Sequence, residues 1–406
     1  MPYEGDNMMG VKRTNRSAAL RVLHESGSMS RKRLSESIKL TPAAITKIVG
    51  EMIAEGLLTE GSLLPGSGVG RREVMVELNH HAHSALGIFI NLRQAVLSAV
   101  WLDGAVIFTE RLVLPEHAPA DETVSFLCDR LLALAEANGL KRAEILGVGV
   151  AMRGLASSDA RVVHNSFGAL DTFDYPICDR VETLTGLKCV MSNNVRALFS
   201  AQMFLSRDRS LGSQFFLRCE VGIGASFAIG EKIWLGSSGQ CAEIGHIPVI
   251  KRGGKPCSCG KTGCLETIAS PSAILRDARE LLDADRAPVL YRLSQARDNG
   301  LPTLDDVFEA ARSGDGEIAA LVDRAVEALS AALKSVIYTL DPGKIVLYGG
   351  MFDNPYYLSK LIAEMREGVD SSHSVPIEPS RLNHCLEDKA APLLVVEDFF
   401  ANGGLC

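Results

Sequence analysis

His246, Cys257, Cys259 and Cys264 are the residues whose types and spacing most directly specify chemistry in this chain. A Gly-His pair, ten intervening residues and then Cys257-Ser-Cys259-Gly-Lys-Thr-Gly-Cys264-Leu-Glu266 concentrate soft ligands at a spacing that suits one tetrahedral ion. Three thiolates and an imidazole satisfy a structural zinc site, and Gly260 and Gly263 let the backbone turn tightly enough to bring the sulfurs together. Four protein ligands close the shell, so the motif implies one structural zinc per chain, with no metal-bound water and no hydrolysis. The competing reading is three unrelated buried cysteines near a core histidine, for which the Cys-x-Cys plus Cys clustering between glycines offers no packing reason.

The elements that must position these ligands belong to a large chain. Its 406 residues are 47% apolar and 22% charged, ample for a sizeable core and for two or three domains. No apolar run is long enough to span a membrane, and the start Met-Pro-Tyr-Glu-Gly-Asp is acidic and polar. The expectation is a cytoplasmic protein with neither membrane insertion nor a secretory signal. Ten cysteines fit a reducing compartment, with Cys128, Cys178, Cys189, Cys219, Cys241, Cys385 and Cys406 as free thiols. Net charge is −7, unevenly spread: residues 1–80 hold 11 of the 42 Lys and Arg against 9 of the 49 Asp and Glu, leaving 31 against 40 in the remainder. A basic-leaning head on an acidic body points to nucleic acid at the N-terminus.

That head reads as helix, helix, turn, helix. Apolar residues recur at helical spacing from Asn15 to His24, and Gly27 stands where a C-terminal glycine belongs. Ser30 caps a short helix over Arg31–Ile38, with Arg33 where a capping box would need Glu or Gln. Thr41 is an N-cap and Pro42 the first residue of a third helix, which buries Ile45, Ile48, Val49 and Met52. Thr41, Ala43, Ala44, Thr46 and Lys47 are left at its start, where a recognition helix meets base edges and phosphates. Two strand-like stretches, Leu57–Leu64 and Val74–Leu78, flank Pro65-Gly66-Ser67-Gly68-Val69-Gly70-Arg71-Arg72, which reads as a wing whose arginines enter a minor groove. Arg31, Thr41, Ala43, Ala44, Thr46, Lys47, Arg71 and Arg72 are therefore the candidate DNA contacts.

From about Ser84 apolar strands alternate with helices, the texture of α/β domains. Leu86–Val100 reads as a hairpin, Ile145–Ala151 and Lys188–Met191 as strands, and Phe215–Ile229 as a strand pair. A helix over Ala319–Leu340 precedes a strand at Lys344–Tyr348 with its Gly349-Gly350 turn.

With Gly236-Ser-Ser-Gly-Gln-Cys-Ala-Glu243-Ile-Gly-His246 followed by Cys257 to Glu266-Thr-Ile-Ala-Ser, the chain resembles the ROK family of repressors and sugar kinases. Together with the N-terminal module, this places the resemblance in the transcriptional-regulator branch and extends it over nearly the whole chain. It implies an N-terminal winged helix-turn-helix plus an α/β actin-like ATPase (sugar kinase) fold in two lobes. The implied domains are residues 1–81 (reader and linker), 82–195 with about 382–406 (smaller lobe), and 196–381 (larger lobe, with the zinc site and sugar-pocket residues). By the same resemblance Asn193, Asn194, Glu243, His246 and Glu266 bind sugar hydroxyls, joined by Asn165 in His164-Asn165-Ser166. Carboxylates and amides can each hold two hydroxyls, and a metal-held histidine orients them.

Against the pattern of the family's kinases this chain departs at the catalytic positions. Asn193-Asn194 stands where they have Asn-Asp, and an amide cannot act as a base at neutral pH. Phe89-Ile90-Asn91-Leu92-Arg93 stands where they carry an Asp-x-Gly-x-Thr phosphate loop, losing a magnesium-holding carboxylate and a glycine. The second loop, Glu220-Val221-Gly222-Ile223-Gly224-Ala225-Ser226, keeps two glycines but starts with an acidic residue. Arg153-Gly154 replaces Pro-Gly, and Phe399–Gly404 does not look like the family's small-residue helix. No catalytic residue is assigned.

The resulting expectation is a DNA-binding transcriptional regulator, a repressor of carbohydrate uptake or catabolism genes, modulated by a sugar, a sugar phosphate or a protein partner. A homodimer or tetramer on a double-stranded operator follows, because one small module has too little contact area for operator specificity. A second reading is an ATP-dependent sugar kinase with an accessory DNA-binding module, with Asp171 or Asp174 replacing the missing base. A third is a zinc-stabilised adaptor for a transporter component.

Overall fold

Hydroxyl caps decide where the second and third helices begin in the computed structural model, which describes residues 8–61, 73–115, 119–157, 161–166, 168–206, 212–367, 374–382 and 385–405. Helix α1 spans Met8–Ser26 and closes at Gly27, whose φ of 72° is a left-handed conformation. It starts earlier than the apolar pattern at Asn15 predicts. Met9 and Val11 in its first turns are exposed, so no buried apolar period marks them, and the turns carry a Thr14 Oγ1 donation to Gly10 O and the Lys12–Glu51 ion pair. After β1 (Met29–Ser30), the Ser30 hydroxyl accepts from Arg33 N at the start of α2 (Arg31–Ser37). Thr41 likewise accepts from Ala44 N at the start of α3 (Pro42–Ala54). Helix α3 buries Ile45, Ile48, Val49 and Met52, and the complementary stripe Ala43, Thr46, Lys47 and Gly50 is exposed. Strands β2 (Leu58–Glu60) and β3 (Met75–Leu78) complete a three-stranded antiparallel sheet ordered β1-β3-β2. The wing over Pro65–Arg72 lies outside the described residues.

An α/β body follows. It contains β4 (Ser84–Ile90), β5 (Gln94–Trp101), β6 (Val106–Val113), α4 (Ala120–Ala137) and β7 (Ile145–Met152). Next come three short strands, β8 (Leu155–Ser157), β9 (Val162–Asn165) and β10 (Phe173–Tyr175), then α5 (Ile177–Thr185), β11 (Cys189–Asn193) and α6 (Asn194–Ser206). The main sheet is ordered β11-β7-β4-β5-β6, antiparallel across β4-β5-β6 and parallel where β7 joins β4 and β11. Strand alternation sends Leu86, Ile88 and Ile90 into one core with Val124, Leu127 and Leu131 of α4. Gly87 and Phe89 face the other way.

A second α/β unit holds β12 (Ser213–Cys219), β13 (Ile223–Ile229), β14 (Lys232–Ile233) and α7 (Glu266–Ala269) to α11: α8 (Pro271–Glu280), α9 (Pro288–Gln295), α10 (Leu304–Arg312) and α11 (Gly316–Leu340). It closes with β15 (Lys344–Tyr348), α12 (Pro355–Arg366) and β16 (Ile377–Pro379), in a sheet ordered β14-β13-β12-β15-β16. The apolar stripe of α11, including Val322, Leu329 and Val336, shares a core with Phe215, Leu217, Ile345 and Leu347.

The last helix, α13 (Leu386–Ala401), returns to the first sheet, so the two compact units are Met1–Arg207 with Cys385–Cys406, and Asp208–His384. Phe399 and Phe400 belong to its final turn, and Gly403 and Gly404 end it in left-handed conformations. No helix of the described residues is long and apolar enough to cross a membrane.

Helix α13 lies close to the sheet. A Cβ on Gly87 would sit 2.2 Å from Pro392 Cδ, and one on Gly149 would sit 1.8 Å from the Ala391 carbonyl oxygen. Gly149→Ala therefore forces helix and sheet apart and should cost about 2 kcal/mol or more by urea unfolding. Gly316→Ala, at the open first turn of α11 with nothing within 4 Å, should be neutral or mildly stabilising in the same measurement.

Candidate functional site: a histidine-cysteine cluster and two groups of polar side chains

His246, Cys257, Cys259 and Cys264 converge, with one ligand atom from each lying within 4.8 Å of all the others. Short antiparallel contacts build the knuckle that brings them there. Cys257 N donates to Lys261 O, Gly263 N to Lys255 O and Leu265 N to Ile247 O, with pairings Pro256↔Thr262 and Pro248↔Cys264. Gly263, at φ 71°, presses against Ile250 O, which an added Cβ would approach to 2.3 Å. Lys255 ties the knuckle to α8, donating to Asp277 Oδ1 at 2.7 Å and to Glu280 Oε1 at 3.0 Å.

The donor set fits a tetrahedral ion. Metal–sulfur bonds of about 2.3 Å give sulfur–sulfur edges of about 3.8 Å and sulfur–nitrogen edges of about 3.5 Å. Cys259 Sγ lies 3.7 Å from Cys264 Sγ, and Cys257 Sγ lies 3.4 Å from His246 Nδ1. Burial pushes the Cys257 thiol up to about 12, so a bound cation is what would hold it as thiolate at neutral pH. With Nδ1 turned to the sulfurs, His246 keeps Nε2 for a partner outside the cluster.

Glu243 and Glu266 gather with His246 at the start of β13. Glu266 Oε2 accepts from Ile223 N at 3.2 Å, and its Oε1 lies 3.6 Å from Cys257 Sγ. Gly222 is close enough that a Cβ there would meet Glu266 Oε2 at 2.2 Å. At the carbonyl of the same residue, Gly245 packs so tightly that a Cβ would come within 2.1 Å of Ile223 O. Glu243 is exposed and follows Ala242, a non-glycine residue at φ 68°. A left-handed alanine costs about 1 kcal/mol and persists only where its surroundings impose it. The loop that holds Gly222 reads in sequence as a phosphate loop only half kept, and what lies against Gly222 is Glu266, distant in sequence.

Asn165, Asn193 and Asn194 belong to the first unit, where the Asn193 side chain and the Asn165 backbone meet Gly154. Asn193 Nδ2 donates to Gly154 O at 2.8 Å, and both Asn193 Oδ1 and Asn194 Oδ1 accept from Val195 N at the start of α6. Gly154 abuts the Asn165 carbonyl, which an added Cβ would approach to 2.0 Å. Asp174, one substitute base, pairs with His164 at 2.6 Å, and Asp171 bridges to Pro119. Where a phosphate loop would lie, Phe89 is buried, and the Asn91 side chain accepts from Leu92 N within the β4–β5 turn.

Of the candidate DNA contacts, Thr41, Ala43, Thr46 and Lys47 are exposed on α3 and Ala44 is half-buried. Thr46 Oγ1 donates to Pro42 O at 2.8 Å, leaving its lone pairs outward. Arg31 is half-buried and donates to Glu60 Oε1 at 2.7 Å, so it is engaged within the module. Arg71 and Arg72 lie outside the described residues.

Residues 90–391 match the family model described as the ROK family. The chain is 26% identical over 344 residues to the DNA-binding transcriptional dual regulator NagC of Escherichia coli strain K12, covering 84% of this chain and 81% of that protein. A crystal structure described as a ROK family transcriptional regulator, homolog of the E. coli MLC protein, aligns over 97% of this chain and 98% of its own with a TM-score of 0.79 and 22% identity. A ROK family glucokinase from Streptomyces griseus, in complex with glucose and AMPPNP, aligns over 78% of this chain and 98% of its own with a TM-score of 0.64 and 23% identity.

Cys259 is more exposed than Cys257 or Cys264, so Cys259→Ser perturbs packing little while removing one ligand. It should abolish bound metal by elemental analysis and lower the thermal midpoint, because a structural ion contributes its binding energy to folding. A metal-free wild type of undiminished stability would rule out a structural ion.

Proposed function

The chain belongs to the ROK family, and on that premise we propose that it is a DNA-binding transcriptional regulator, a repressor of carbohydrate genes, whose α/β body senses a ligand without turning it over. The observation that carries this reading is the exposed stripe on α3, whose helical start is capped by Thr41 and whose opposite face is buried. Small side chains at Ala43 and Ala44 admit close approach to base edges, Thr46 offers an acceptor, and Lys47 supplies a phosphate contact. Similarity to NagC, described as DNA-binding, and to a ROK regulator over nearly the full length supports the same reading. Two readers on a homodimer would engage two half-sites, and the working location would be the cytoplasm.

The ion proposed for the histidine-cysteine cluster is zinc, for which three thiolates and one imidazole form a closed structural shell. Its chemistry is to fix the knuckle and the ring of His246. Within the second unit, Glu243, His246 and Glu266 are the residues we propose to hydrogen-bond a sugar or sugar phosphate; within the first unit, Asn165, Asn193 and Asn194 carry the same proposal by their own amides. A protein partner such as a transporter component remains the other source of signal. Sugar-kinase activity is disfavoured by the amide at Asn194, which folds back on Val195 N, and by the buried ring at Phe89.

DNA fragments selected by the purified protein test the proposal directly, and recovery of no preferred sequence would overturn it. Lys47→Ala should weaken binding to all sequences and reduce the slope of log affinity against log salt by about 0.9. Thr46→Ala should instead relax sequence preference by about 1–3 kcal/mol at the base it reads. With a hexose panel and Mg-ATP we expect no phosphoryl transfer by the wild type or by Asn194→Asp, since Phe89 and Asn91 leave the phosphate loop unfit. Turnover by the wild type would replace the regulator reading with the kinase one.

A further inference from the structure

Arg16 is fully buried, yet its donors leave α1 in two directions. Nε donates to Gly403 O at 2.7 Å, in the turn that ends α13. Nη1 donates to Glu55 Oε1 at 2.9 Å, and Nη2 to Glu55 Oε2 in a shorter contact. Glu55 is the residue that caps the C-terminus of α3. One guanidinium therefore joins the end of the helix carrying the DNA-reading stripe to the end of the helix that lies on the body's sheet. A planar fork with five donors can serve both partners at once; a lysine ammonium cannot reproduce that geometry.

The surrounding contacts are built for the same junction. An added Cβ on Gly403 would sit 2.8 Å from Arg13 O, and one on Gly404 would sit 2.5 Å from Leu57 Cδ2, so α1 and the segment after α3 both rest on the glycine turn. Further along α1, His24 stacks on Phe204 of α6 at 4.1 Å, meets Phe400 of α13 edge-on at 5.9 Å, and brings Nε2 to 3.2 Å from Phe204 O.

We propose that Arg16 is a positioning residue for DNA recognition: it locks α3 to the α/β body through Glu55 and the C-terminal turn of α13, so that the angle of the reading helix follows the body. This rests on the DNA-reader assignment of α3, although Arg16 itself touches no DNA. Glu55 retains 43% side-chain exposure, so its carboxylate can be solvated when Arg16 is replaced, and Arg16→Met does not strand a buried charge.

Full-length Arg16→Met, and Glu55→Gln as a milder variant that keeps side-chain shape, would be compared with the wild type by hydrogen exchange and by binding to DNA. The probe is the operator fragment that wild-type protein selects from random sequence, with the spacing between half-sites changed in single base-pair steps. The lock predicts that amides of α1 and α3 exchange about tenfold faster in Arg16→Met while those of β4 and β7 do not change. It also predicts that the wild type's discrimination between correct and incorrect spacing shrinks by about tenfold, a readout that simple loss of stability would not move. Equal acceleration of exchange throughout the first unit, or an unchanged spacing profile, would overturn it. A wild type that selects no DNA sinks the regulator reading instead, and the exchange rates then decide the lock by themselves.

Discussion

Contact between α13 and the paired glycines Gly87 and Gly149 is the constraint on which the first unit depends. The two glycines are register partners on the parallel strands β4 and β7, so together they make a floor without side chains. Ala391 and Pro392 rest on it. A proline inside a helix forfeits one backbone hydrogen bond and crowds the preceding turn. That cost is offset here by burial against the sheet, where Pro392 is among the buried residues of the helix. With α13 seated, Lys188 reaches Asp398 at 2.7 Å, Ser200 donates to Glu397, and the turn beyond the helix supports α1. The end of the chain is thus a structural part of the unit that contains its beginning.

In the second unit the backbone of a single residue, Ile223, spaces the polar side chains near the histidine-cysteine cluster. Ile223 gives its N–H to Glu266 and its carbonyl faces Gly245, so one stretch of backbone spaces the segments that carry Glu243, His246 and Glu266. Glu266 in turn reaches Cys257, which connects that spacing to the histidine-cysteine cluster. Gly222, in the loop before β13, therefore lies against a carboxylate of the same chain.

Neighbouring groups also set which side chains remain available. Arg31, which pattern alone assigns to DNA, spends a donor on Glu60, whereas Lys47 stands exposed on the same face of α3 as Ala43 and Thr46. Surface pairs of this kind are weak, and a phosphate could compete with Glu60 for the guanidinium. Asp174 pairs with His164 in an exposed strand, so its electrostatic environment is the histidine beside it.

Local chemistry was legible in the sequence. Thr41 and Ser30 cap the helices they precede, α3 buries the four apolar residues its period requires, and His246 with three cysteines forms a cluster that can hold a metal. These depend on interactions spanning a few residues, or on a ligand set so uncommon that spacing alone constrains it. The ion pair at the start of α1, the neighbour of Gly222 and the partners of Arg16 were not legible. Each involves a group far away in the chain: Glu51 for Lys12, Glu266 for Gly222, Gly403 for Arg16. Capping residues, helical apolar periods and the ligand spacing of the histidine-cysteine cluster could be read from residue order, because those preferences are written in short-range sterics and hydrogen bonding. Only the tertiary structure decided where α13 sits and what its glycine turn supports, because close packing is settled by distant surfaces meeting at van der Waals contact.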